Sequence, residues 1–131
     1  MHNISAVGID LIEISRIRKI VERNPGVLEK LLTENELHAA RLVSRTPGKY
    51  IYISRIFAMK ESVLKACGTG WQEGVSWHDV EISGDLKYSQ QIKISGKLKI
   101  ISDSRSIAGV FAVSGFCGHY AVAQAIAVKI Y

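Results

Sequence analysis

Arg55-Ile56-Phe57-Ala58-Met59-Lys60-Glu61-Ser62-Val63-Leu64-Lys65-Ala66-Cys67-Gly68-Thr69-Gly70 reads as the second half of a long helix closed by glycine. The helix is expected from about Tyr50 to Cys67, with Ile53, Phe57 and Leu64 facing inward. Gly68 is placed to supply the left-handed residue that ends many helices. Glu61 and Lys65 stand four residues apart and therefore share one face. That face offers a carboxylate for a hard cation and an ammonium for a phosphate. Alone, the two residues read first as an ordinary solvated ion pair.

Outward from this helix, the chain divides into helices first and strands later. Asn3 to Ile9 reads as a short strand whose tip carries Asp10. Ile12, Ile14, Ile17, Ile20 and Val21 then recur at near-helical spacing, with Arg16, Arg18, Lys19 and Arg23 between them. This predicts a basic amphipathic helix, stopped by Asn24-Pro25-Gly26. Thr33 with Glu36 forms a capping-box pattern for a helix through about Val43, broken at Arg45-Thr46-Pro47-Gly48. Strands are expected over Val75 to Ile82, Gln91 to Ser95, Ala108 to Ser114 and Tyr120 to Ile130, with a short helix from Gly96 to Ser104. In the last strand Ala121, Ala123, Ala125 and Ala127 take one face, narrow enough for another element to approach closely. No repeat or linker is visible. The fold class expected is α+β: a single domain over residues 1–131, with a mainly antiparallel sheet and one long helix packed on it.

Composition excludes several classes. With 47% hydrophobic and 22% charged residues, the 131-residue chain matches an ordinary globular domain. It has no apolar run approaching the ~20 residues of a bilayer-spanning helix, and no secretory signal is expected. Cys67 and Cys117 lack metal-ligand spacing, so free thiols in a reducing cytoplasm are expected. The net charge of +5 is not gathered into runs or interleaved with aromatics as in single-strand binders. It suits an acidic protein or a polyphosphate ligand better than nucleic acid, and no membrane partner is expected.

The long helix gains meaning beside Val7-Gly8-Ile9-Asp10-Leu11-Ile12-Glu13-Ile14-Ser15-Arg16-Ile17. In order, these two segments, Leu32-Thr33-Glu34-Asn35-Glu36-Leu37 between them and Val75-Ser76-Trp77-His78-Asp79-Val80-Glu81-Ile82 after them, resemble the 4′-phosphopantetheinyl transferases of the small holo-acyl-carrier-protein synthase type. The resemblance implies transfer of phosphopantetheine from coenzyme A to a serine of an acidic apo-acyl-carrier protein, for lipid synthesis, with Mg²⁺ required. It implies Asp10 and Glu61 as metal ligands. It implies Lys65 as the phosphate-holding cation and Arg16, with Arg18, Lys19 and Arg23, as the face that meets the carrier. Arg55, Lys60, Gly68, Thr69 and His119 are the candidates for contacting coenzyme A, and a homotrimer with coenzyme A between subunits is expected. Glu13 also matches the motif, though a charge in the first turn of a helix explains it as well.

Two positions depart from the pattern. The family's arginine four residues before the lysine of Lys-Glu is Ile56 here, with Arg55 offset by about 100° around an ideal helix. The family's histidine four residues before the Tyr-Ala strand is Phe116, and His119 is the nearby imidazole. These departures leave a catalytically weak coenzyme A-binding relative as an alternative. A small basic nucleic-acid-binding protein is the other, opposed by carboxylates that repel a phosphate backbone.

Overall fold

The computed structural model describes residues 2–43, 48–71 and 74–130. The expected break at Arg45-Thr46-Pro47 lies outside the described residues. Strand β1 (His2–Glu13) leads into helix α1 (Ile14–Arg23), then α2 (Val27–Leu31), α3 (Glu34–Leu42) and the long α4 (Gly48–Cys67). A 3₁₀ turn (Trp77–Asp79) precedes β2 (Val80–Glu81), β3 (Gln90–Gln91), β4 (Lys93–Ile94), helix α5 (Gly96–Ser104), β5 (Ile107–Cys117) and β6 (Tyr120–Ile130). The main sheet runs β1-β6-β5-β3, antiparallel throughout, while β2 and β4 form a separate pair. The fold is therefore α+β, with α4 lying across one face of the sheet. Among the described residues no helix is long and apolar enough to cross a membrane.

Local sequence accounts for the helix ends. The Thr33 hydroxyl accepts from the Glu36 N–H, and the Glu36 carboxylate accepts from the Thr33 N–H, which is the reciprocal capping expected. Gly68 ends α4 with φ +73. Its N–H reaches the Lys65 carbonyl at 3.1 Å, and the Thr69 N–H reaches Leu64 at 3.0 Å. These two bonds are the Schellman pattern.

The inner face of the sheet is built small so that α4 can come close. Ala121, Ala123, Ala125 and Ala127 of β6 are all buried against the helix side. On β1 the same role falls to Gly8, where a Cβ would run into the Ser62 carbonyl oxygen and crowd the Ala66 nitrogen. That backbone contact sets Asp10, two residues on, beside the last turns of α4.

Three strand expectations are corrected. β1 does not end at Ile9; it stays paired with β6 to Glu13, and Asp10 sits opposite Ala123 inside the ladder. Its alternation decides this, since Ile9 and Leu11 face outward while Ile12 is buried. The stretch from Val75 to Ile82 is mostly not a strand. Ser76 accepts from the His78 N–H and Asp79 from the Ser76 N–H, a local cap that winds a 3₁₀ turn and leaves two residues for β2. Likewise Gln91 to Ser95 holds two short pieces, β3 and β4, in different sheets.

Candidate active site

The closeness of β1 to α4 brings together residues fifty positions apart. The Lys65 ammonium donates to the Asp10 carboxylate at 3.1 Å and to the Ile9 carbonyl at 2.8 Å. Asp10 is largely covered, whereas the Lys65 side chain is half exposed. An ammonium has three donors, so one remains for an incoming oxygen. A hollow of about 340 Å³ is lined by Asp10, Glu13, Arg16, Ile20, Phe57 and Glu61 among others. The two carboxylates expected to converge therefore border one space. Glu13 also borders it, and its carboxylate accepts from the Ser15 hydroxyl at 2.6 Å.

Among the described residues no cluster of three His, Cys, Asp or Glu side chains converges. Zinc sites need three or four such ligands. Magnesium is commonly held by one or two carboxylates, with water and phosphate oxygens completing the octahedron. The donor set here, two hard carboxylates at the edge of an open hollow, fits the second pattern.

The remaining candidates divide. Lys60 is a correction: it is 1% exposed and points into the core. Its ammonium contacts Glu36 at 2.7 Å, the Leu31 carbonyl at 2.7 Å and the Trp77 carbonyl at 2.9 Å, so it has no donor left for coenzyme A. Gly68 and Thr69 are corrected in one respect. Their N–H groups close α4 and cannot also cradle a phosphate. The Arg105 guanidinium caps the Cys67 carbonyl beside them. His119 lies in the exposed turn between β5 and β6, and its carbonyl accepts from the Ile14 N–H at 2.8 Å. The structure thus places it at the start of α1.

Arg55 meets the other departure from the family pattern. It donates to the Ser114 hydroxyl and carbonyl at 3.0 Å and to the Leu86 carbonyl at 2.8 Å. Its guanidinium lies 5.8 Å from the Phe116 ring centroid. Partial burial holds its pKa below the ordinary arginine value, opposed by nearby Tyr52. Ile56 is fully buried. The arginine is thus occupied in tying α4 to β5.

On α1, Ile17 and Val21 are buried, and Arg16, Lys19 and Arg23 are exposed at spacings that share a face. Arg18 differs. It pairs with Glu22 within the helix and lies 5.4 Å from the Tyr50 ring centroid. Arg16 alone of the four borders the hollow.

Two participants were not singled out from the sequence. The Trp71 indole N–H donates to Glu61 at 2.9 Å. Trp71 stacks on Trp77, which stacks on Phe57. A tryptophan just beyond the glycine turn was the available signal, because that turn sends the chain back along α4.

The sequence profile of the 4′-phosphopantetheinyl transferase superfamily matches residues 6–125. A holo-[acyl-carrier-protein] synthase of Anoxybacillus flavithermus is 37% identical over 124 residues, covering 94% of each chain. Plasmodium yoelii acyl carrier protein synthase with ADP bound is similar with a TM-score of 0.82 and 30% identity, over 100% of this chain and 99% of that one. Helicobacter pylori holo-[acyl-carrier-protein] synthase in complex with coenzyme A gives a TM-score of 0.74 and 29% identity, over 92% and 98%.

Proposed function

The chain belongs to the 4′-phosphopantetheinyl transferase superfamily, and from this premise we infer that it catalyses the holo-acyl-carrier-protein synthase reaction. It transfers 4′-phosphopantetheine from coenzyme A to a serine of apo-acyl-carrier protein. The serine oxygen bonds to the phosphorus that carries pantetheine, the pyrophosphate bridge breaks, and adenosine 3′,5′-bisphosphate departs. The observation that carries the site assignment is Asp10 and Glu61 on one hollow, with Lys65 beside Asp10.

The step needs positioning and neutralisation of oxygens that gain charge. We propose that Asp10 and Glu61 hold Mg²⁺, which when bound would draw charge from the pyrophosphate oxygens. Lys65 contributes its third N–H to a phosphate oxygen, with its other two donors fixing its direction. Arg16 at the hollow, continued along the same helix face by Lys19 and Arg23, presents a positive surface suited to an acidic carrier. Arg18 takes a lesser part, being paired with Glu22.

The reading also treats residues 1–131 as one domain acting in the cytoplasm as a homotrimer. Both cysteines are free, as suits a reducing compartment. Ile9, Leu11, Phe111, Val113 and Val122 form an exposed apolar sheet face opposite α4, which supports self-association. The test of activity is the intact mass of an apo-carrier incubated with the enzyme, coenzyme A and Mg²⁺. Gain of one phosphopantetheine is expected. An unchanged mass would favour a weak coenzyme A binder, the reading to which buried Ile56 and the Arg55–Phe116 contact point.

A further inference from the structure

We propose that Trp71 is a positioning residue for Glu61, holding one carboxylate oxygen through its indole N–H so that the other faces the hollow. The inference rests on the reading of Glu61 as a cation ligand. Three observations carry it. The indole nitrogen lies 2.9 Å from Glu61 Oε1 in a partly buried contact. The Trp71 and Trp77 ring centroids are 3.6 Å apart at 29°, and those of Trp77 and Phe57 are 5.1 Å apart at 30°. Phe57 stands one helical turn before Glu61 and borders the same hollow.

The arrangement forms a closed bracket. α4 supplies Phe57 and Glu61, the Gly68 turn reverses the chain, and the stacked rings press Trp71 back onto the helix that bears its acceptor. An indole nitrogen only donates, and a carboxylate only accepts, so the contact has one polarity. A donor to a charged acceptor is stronger than a neutral pair and fixes the plane of the carboxylate. Partners that orient metal ligands in this way commonly matter 10- to 100-fold for affinity or activity. A purely packing role for Trp71 needs the rings but not the N–H.

The experiment separates these. Protein labelled with ¹⁵N carries two tryptophan indole cross-peaks, and Trp71→Phe identifies one. In metal-free protein Glu61→Ala should move the Trp71 cross-peak upfield and speed its exchange with solvent, and indifference would overturn the contact. Calorimetric titration of Mg²⁺ in the presence of adenosine 3′,5′-bisphosphate, without turnover, tests the consequence. Trp71→Phe should weaken Mg²⁺ by about 10-fold or more, while Trp77→Phe, which keeps a stacked ring, should not. Equal Mg²⁺ affinity in wild type and folded Trp71→Phe would overturn the positioning role. If Asp10→Asn and Glu61→Ala leave Mg²⁺ binding intact while the Trp71 cross-peak still responds to Glu61→Ala, the cation reading fails and the positioning role falls with it.

Discussion

Lys60 keeps its ammonium out of water because every donor has a partner, and its chief partner is satisfied in turn. Glu36 accepts from Lys60, from the Thr33 N–H at 2.8 Å and from the Ile82 N–H at 2.7 Å. One carboxylate thus joins the α3 cap, the middle of α4 and the residue that follows β2. Burial pushes the lysine pKa down and Glu36 opposes that shift. Removing the lysine would strand a buried carboxylate. Lys60→Met should therefore cost about 3–5 kcal/mol in urea unfolding, and a loss under about 1 kcal/mol would show the pair to be dispensable. This role was not legible in the sequence. Lysines are almost never fully buried, and the capping box already explained Glu36. That Asp10 and Glu61 would border one space was legible because an ordered motif set accompanied them. Asp10→Asn or Glu61→Gln should each reduce phosphopantetheine transfer at least about 100-fold with an unchanged circular dichroism spectrum; near-normal transfer would remove that residue from the site.

Between β1 and α4 the contact is backbone against backbone, so Gly8 tolerates no side chain. Gly8→Ala should destabilise the fold by about 1–3 kcal/mol and loosen the Asp10–Lys65 pair, measurable as a lower urea midpoint together with reduced transfer. A midpoint equal to wild type would mean that α4 moves aside freely. At the end of the same helix Cys67 is 1% exposed, and burial pushes its thiol up to about 11 from 9.0. Below pH 9 folded and unfolded chains both keep that proton. Between 9.0 and about 11 the unfolded chain gives it up first, so rising pH favours unfolding in that window. Cys67→Ala should flatten this part of the stability profile, and equal slopes in the two proteins would exclude the thiol. Elements governed by local chemistry were legible: the Thr33 cap, the Gly68 stop, α5 and the whole of β6. Those settled by distant pairing were not. Ile9 to Ile12 fits a strand or a helix entry equally until β6 is alongside. Val75 to Ile82 is the exception among local signals, because its alternation hid the Ser76–Asp79 cap that winds a 3₁₀ turn there.

The whole molecule has two unlike sides. One side of the sheet is sealed by α4 and carries the hollow at its rim; the other leaves Ile9, Val113 and Val122 exposed. Sedimentation should find a trimer, and Val113→Asp should shift it towards monomer while the subunit stays folded; a wild-type monomer at working concentration would sink the assembly. The alternation in β6 also forbids that strand to slip. A shift by one residue would drive Tyr120, Val122 and Gln124 against α4 and turn the alanines outward. Register in β6 is thus held by side-chain size, so a residue inserted in the exposed turn at Gly118–His119 has to be absorbed there as a longer loop and cannot be passed down the strand.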